Sequence, residues 1–193
     1  REVTGSTLTE TSSEGGIAVG GSETVTDSKV TKTAEGNITV DGNREVTGST
    51  LTETSRDGSI AVGGDETITD STVTKDAKGD ITVGGDQTVI GRNLTETSRD
   101  GSIAVTENET ITGGSTVTKT AKGDITVGGD QRVTGSTLTE TSSNGSIETK
   151  GNVTLADSEA HLTAHKDLTV EGNLAVTGGT LKAQAETGSV TLT

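Results

Sequence analysis

The chain has 193 residues, no Phe, Tyr, Trp, Met, Pro or Cys, only 26% hydrophobic residues and 28 glycines, so no large aromatic-centred core can form. Its 29 acidic residues outnumber 15 lysines and arginines, giving a net charge of −14 that repels nucleic-acid phosphates and anionic membrane surfaces. Without cysteine there is no disulfide framework and no thiolate metal site, and no apolar run reaches membrane-spanning length.

In chain order, the first element to recur is Gly48-Ser49-Thr50-Leu51-Thr52-Glu53-Thr54-Ser55, with near-copies beginning at Gly5, Gly91 and Gly135, separations of 43, 43 and 44 residues. Such spacing marks a stacked repeat. Each unit halves again, because one aliphatic position returns at Leu8, Val30, Leu51, Val73, Leu94, Val117, Leu138, Leu162 and Leu181. A second set, Ile-x-Val, recurs from Ile17/Val19 to Val190/Leu192, with Ile147 beside Thr149 as its one defective copy. A third is a single aliphatic such as Val25, Val46, Ile68 or Val89. Glycines two residues before the Ile, Gly-Gly pairs and Asp-Ser or Gly-Ser steps place turns between these sets.

The expectation is an all-β fold, a right-handed single-stranded parallel β-helix (solenoid) of about nine three-strand coils of 21–22 residues, roughly 43 Å long at the interstrand spacing. It forms one domain over 1–193, regular in two-coil repeats over 1–147 and less regular and more apolar over 148–193, with a longer turn expected from Ala156 to Lys166. Both ends read as cut, the mark of an excerpt whose neighbours are flanking coils of one longer chain.

Two columns of charge carry the two-coil period. The first reads Glu10, Lys32, Glu53, Lys75, Glu96, Lys119, Glu140, strictly alternating in sign. The second reads Glu23, Arg44, Glu66, Gln87, Glu109, Gln131, and then becomes Val153 and Leu174. Residues stacked one strand spacing apart repel if alike and pair if opposite, so alternation holds neighbouring coils together. Strand alternation puts Glu10 on the inward side with Leu8, and an unpaired carboxylate in a narrow core is costly. The favoured arrangement is a paired ladder buried at a corner rim, its charged ends reaching water; a fully exposed ladder is the alternative. In this reading Ala164 and Ala183 take the ladder position in the last coils.

Other constellations have plainer explanations. His161 and His165, with Glu159 and Asp167 nearby, lack the convergent ligands of a metal site and read as surface histidines. The Gly63-Gly64-Asp65 and Gly128-Gly129-Asp130 corners lack the nine-residue period of calcium-binding glycine-aspartate repeats. Thr-x-Thr rows such as Thr9/Thr11 and Thr52/Thr54 resemble ice-binding ranks, interrupted at Asp76. The repeated carboxylates have equivalents in neighbouring units and no aromatic sugar platform beside them, so no catalytic residue, metal site or cofactor is assigned.

Gly-Gly-Thr-Leu-x-Ala-x-Ala at Gly178 to Ala185, Gly-Ser-Val-Thr-Leu-Thr at Gly188 to Thr193, and Gly-Asp-Ile-Thr-Val at Gly79 and Gly123 resemble the repeats of filamentous haemagglutinin-like proteins. The resemblance spans nearly all nine coils. It departs at the Glu/Lys ladder, where the family commonly carries Ala or aliphatic residues. What it implies is the shaft of a two-partner-secreted exoprotein of Gram-negative bacteria, an adhesin or a contact-dependent inhibition stick, secreted or at the cell surface. Its implied partners are an outer-membrane transporter during secretion and a host or neighbouring-cell receptor bound by other regions, with no nucleic acid and no membrane insertion. A glycan- or ice-binding module using one solvent face is the alternative function. The trimeric β-prism of injection-system spikes is the structural alternative, and its period of about eight residues does not fit.

Overall fold

In the computed structural model, which describes residues 1–193, each of the first seven coils turns through three parallel strands, and like strands stack in register along the rod. Face A carries Glu23–Thr26, Arg44–Thr47, Glu66–Thr69 and their successors. Face B carries Lys29–Ala34, Thr50–Ser55, Thr72–Ala77 and theirs. Face C is a nine-stranded sheet from Ile17–Val19 to Val190–Leu192. The chain is therefore a β-solenoid of about nine coils, a structural repeat fold.

Burial follows the pleat. In one coil Glu23 and Val25 point inward from face A, Val30, Lys32 and Ala34 from face B, and Ile38 and Val40 from face C. The alternate residues, mostly threonines, face solvent, because side chains on a strand alternate sides. The core is thus an aliphatic column with two polar columns running beside it. The terminal coils lack a neighbour on one side: Leu8 and Ile17 are only partly buried, and Val176, Val190 and Leu192 are about two-fifths exposed.

The corners repeat with a two-coil rhythm of their own. Between faces A and B, Asp27, Asp70 and Asp157 adopt positive φ and alternate with positive-φ glycines at Gly5, Gly48, Gly91, Gly135 and Gly178, with Gly113 and Gly114 in the aspartate's place in one coil. A Cβ on Gly48 would stand 2.5 Å from Oδ1 of Asp27, so the carboxylate occupies the space a side chain there would need. Before face C, backbone amides bond alternately to Asp and Ser side chains: Ser102 N to Asp80 Oδ1 at 2.8 Å, Asp124 N to Ser102 Oγ at 3.0 Å, Ser146 N to Asp124 Oδ1 at 2.8 Å. Placing a neutral hydroxyl between carboxylates avoids stacking like charges at the strand spacing.

Two expectations for the last coils are corrected. The segment Ala156 to Lys166 holds no long turn. Val153–Ala164 is one 12-residue strand that pairs with Gln131–Thr134 through its first residues and with Thr137–Ser142 through its last, so faces A and B join. Leu162, moreover, does not continue the Leu138 position. Ala160 lies beside Leu138, Leu162 beside Glu140, and Ala164 beside Ser142, leaving Ala183 alone at the ladder register. The physical reason is an exchange of volume: where the carboxylate gives way to Leu162, the adjoining aliphatic shrinks to Ala160, and one coil later Leu181 and Ala183 reverse the pair.

Candidate functional site, an ion ladder inside the rod

Both charge columns lie inside the rod. Glu23, Lys32, Glu53, Glu66, Lys75, Gln87, Glu109 and Lys119 are 0% exposed, and Arg44, Glu96, Gln131 and Glu140 are 1% exposed. The expected corner rim with charged ends in water is therefore corrected: only Glu10, in the first coil, reaches solvent, at 29%. Period-two alternation decides this, since no bend turns the strands over after their first threonines.

The two columns form a single network, because faces A and B present their charged residues to each other across the corner. Lys32 Nζ donates to Glu23 Oε2 at 2.5 Å and to Glu53 Oε1 at 3.0 Å. The Arg44 guanidinium forks onto Glu53 with two bonds of 2.7 Å and also reaches Glu23 at 3.2 Å and Glu66 at 3.4 Å. Lys75 Nζ repeats the Lys32 pattern, at 2.5 Å from Glu66 Oε2 and 2.9 Å from Glu96 Oε1. Within a coil the partners stand nine residues apart, as in Glu23 and Lys32, Arg44 and Glu53, Glu66 and Lys75. Arg1 begins the ladder at the register of Arg44, pairing with Glu23 and, at 2.5 Å, with Glu10.

Beyond Lys75 the network thins. Gln87 takes the register of Arg44 and donates Nε2 to Glu66 and Glu96, each at 3.0 Å, but brings no charge. Gln131 likewise donates to Glu109 at 2.8 Å and Glu140 at 3.1 Å. Lys119 stands ten residues after Glu109, because the corner holds Gly113 and Gly114, and it touches that one carboxylate at 2.5 Å. Lys119 has no second ion-pair partner, and Gln87 Oε1 and Glu96 Oε2 lack a hydrogen-bond partner. Of the twelve residues, Glu23, Glu53, Glu66, Glu96, Glu109 and Glu140 are acidic while Lys32, Arg44, Lys75 and Lys119 are basic. Six carboxyls thus face four cations.

Protonation follows this distribution. Burial pushes the Glu53 carboxyl up, but Arg44, Lys32 and Lys75 outweigh it and leave it at about 2. Burial likewise opposes ionisation of Glu23 and Glu96, and their cations, Arg44 and Lys32 for the first and Lys75 and Lys119 for the second, hold both below the ordinary carboxyl value. Burial lowers Lys75, and Glu66 and Glu96 reverse this, so its ammonium is held more firmly than in water. These pairs fix coil to coil; removing one member leaves the other as an uncompensated buried charge.

The remaining candidates sit on the surface. His161 lies in the strand Val153–Ala164 beside Thr139, while His165 faces Glu186 at 3.0 Å, so the two histidines serve different surroundings. The threonine rows of face B point outward. On face A a shallow groove of about 330 Å³ runs over Asp86, Thr88, Thr110, Asp130 and Arg132 with no hydrophobic residue in its lining. Comparison with protein-family models, with curated proteins and with solved structures found no match in any of the three.

Proposed function

We propose that this chain is a rigid spacer, a length of β-solenoid shaft in a secreted or surface-exposed bacterial exoprotein of the filamentous haemagglutinin-like kind, as an adhesin or toxin-delivery stick would carry. The observation that carries the spacer reading is the continuous interior network, in which Lys32, Arg44 and Lys75 each bind carboxylates of adjacent coils. A rod whose coils are joined by buried charge pairs in addition to backbone ladders resists bending between coils. In this reading an outer-membrane transporter exports the parent chain, receptor binding belongs to other regions, and the segment has no catalytic role. The extracellular part rests on the repeat resemblance at Gly178–Thr193.

Two measurements test it separately. Spin labels at exposed positions of the first and last coils should give one narrow distance distribution of about 40 Å, the length of nine stacked coils; a broad one overturns the rigid spacer. Antibody against residues 1–193 should label intact source cells, and labelling only after permeabilisation overturns the surface location.

The polar groove over Asp86, Asp130 and Arg132 favours a second reading, binding of a hydroxyl-rich glycan along face A. Arg132→Ala should then abolish retention on the glycan bound by the native chain in an array; absence of any array binding removes the reading.

A further inference from the structure

The ladder ends at Glu140, where the interior changes from charged to apolar. Its carboxyl is 1% exposed and receives one hydrogen bond, from Gln131 Nε2 at 3.1 Å. On one side its register partner is Lys119, which is occupied by Glu109; on the other it is Leu162. From face A the next residue beyond Gln131 is Val153. The charged or titratable groups acting on it are therefore Lys119 on its own face, Glu109 on face A and Glu96 two coils back. Compare Glu53, at the same register two units earlier, which lies against Arg44 and Lys32. The substitution of a guanidinium by an amide at residue 131 removes the charge that would neutralise Glu140.

We propose that the interior of this rod is a proton-binding element: Glu140 takes up a proton from bulk water in the folded chain, and releasing it at higher pH loosens the junction between the charged coils and the apolar coils. A proton is the one neutralising ligand that needs no added volume, and a sealed carboxyl beside Leu162 and Val153 has none to offer a hydrated cation. The electrostatics agree with the geometry. Burial pushes the Glu140 carboxyl up, Lys119 pulls it down, Glu109 pushes it up again, and it settles at about 7. A carboxyl raised in the folded state binds its proton more tightly there than in the unfolded chain. The stability it contributes is complete below the ordinary carboxyl range and is lost as pH rises through about 7.

The test compares melting temperature between pH 5 and pH 8 for the native chain and two variants. The native chain should lose roughly 5–10 °C over this interval. Glu140→Gln removes the titrating group, and Gln131→Arg supplies the guanidinium found at Arg44, so each should flatten the profile while leaving the surface charge, and any general repulsion it causes, nearly unchanged. Parallel profiles for all three chains overturn the proposal. Should either variant fail to fold, 13C-detected titration of the Glu140 carboxyl in the native chain decides: a midpoint between about 6 and 8 supports the assignment, and one in the ordinary carboxyl range overturns it.

Discussion

The coils before and after Ile147 solve one packing problem in opposite ways. At the two ladder registers the earlier coils carry pairs such as Glu66 and Lys75, while the later coils carry Val153 with Leu162 and Leu174 with Ala183. Parallel pairing and strand register continue through the change. Charge inside the rod is therefore not a requirement of the fold. Buried ion pairs repay their desolvation only in part, whereas apolar side chains gain from burial outright. What charge adds is discrimination: Leu accepts any apolar neighbour, but Lys75 accepts only coils that offer carboxylates.

The sharpest way to break the charged coils is Lys75→Glu. It would leave Glu53, Glu66 and Glu96 around a fourth buried carboxylate, and should cost at least about 4 kcal/mol, a loss that a thermal melt would read as failure to fold cooperatively. Acid should separate the two regions next. Glu53, Glu23 and Glu96 have depressed folded values, so the stability they contribute is present above the ordinary carboxyl range and fades as pH falls toward about 2. Hydrogen exchange should then show amides near Ile60 losing more protection between pH 7 and pH 3 than those near Leu155. In the apolar coils Leu168→Ala should cost about 2–5 kcal/mol by cavity formation, with the same loss at pH 5 and pH 8.

Transplanting one interior into the other gives a smaller change and a sharper comparison. Replacing Glu66, Lys75, Gln87 and Glu96 by Val, Leu, Leu and Ala, the residues found at the same registers in the last coils, should leave stability unchanged or raise it by up to about 4 kcal/mol in denaturant titration. At the bottom of the scale, Lys78→Ala removes a solvent-exposed contact to Asp57 at 2.7 Å and should leave the melting temperature unmoved.

The sequence shows the period, the strand positions, the coil count and the alternation of sign, because each is a relation between residues one coil apart along the axis. The crosswise pairing is less visible, since it depends on how two faces meet at a corner, although the nine-residue offset shared by Glu23 and Lys32 and by Glu66 and Lys75 carries that signal. Arg1 escaped for a related reason: with no earlier unit to compare, only its spacing to Glu23 and Arg44 marked it as a rung. The exchange of Leu138 and Glu140 for Ala160 and Leu162 was hidden because matching aliphatic to aliphatic fails where an aliphatic replaces a carboxylate. Glu140 itself reads as one more member of a regular column, and its isolation is visible only when Gln131, Lys119 and Leu162 are seen to surround it.

The Asp-over-Gly corners have a consequence for how such a chain can change length. Asp27 lies against Gly48 and Asp70 against Gly91, while the interior signs keep the same beat. Losing the coil of Gly48 would bring Asp27 and Asp70 into register at one corner and Lys32 and Lys75 into register within. A loss or duplication of 43 residues, by contrast, restores each neighbour. A change in length by paired coils, in steps of about 10 Å, is therefore the one that keeps every pairing intact.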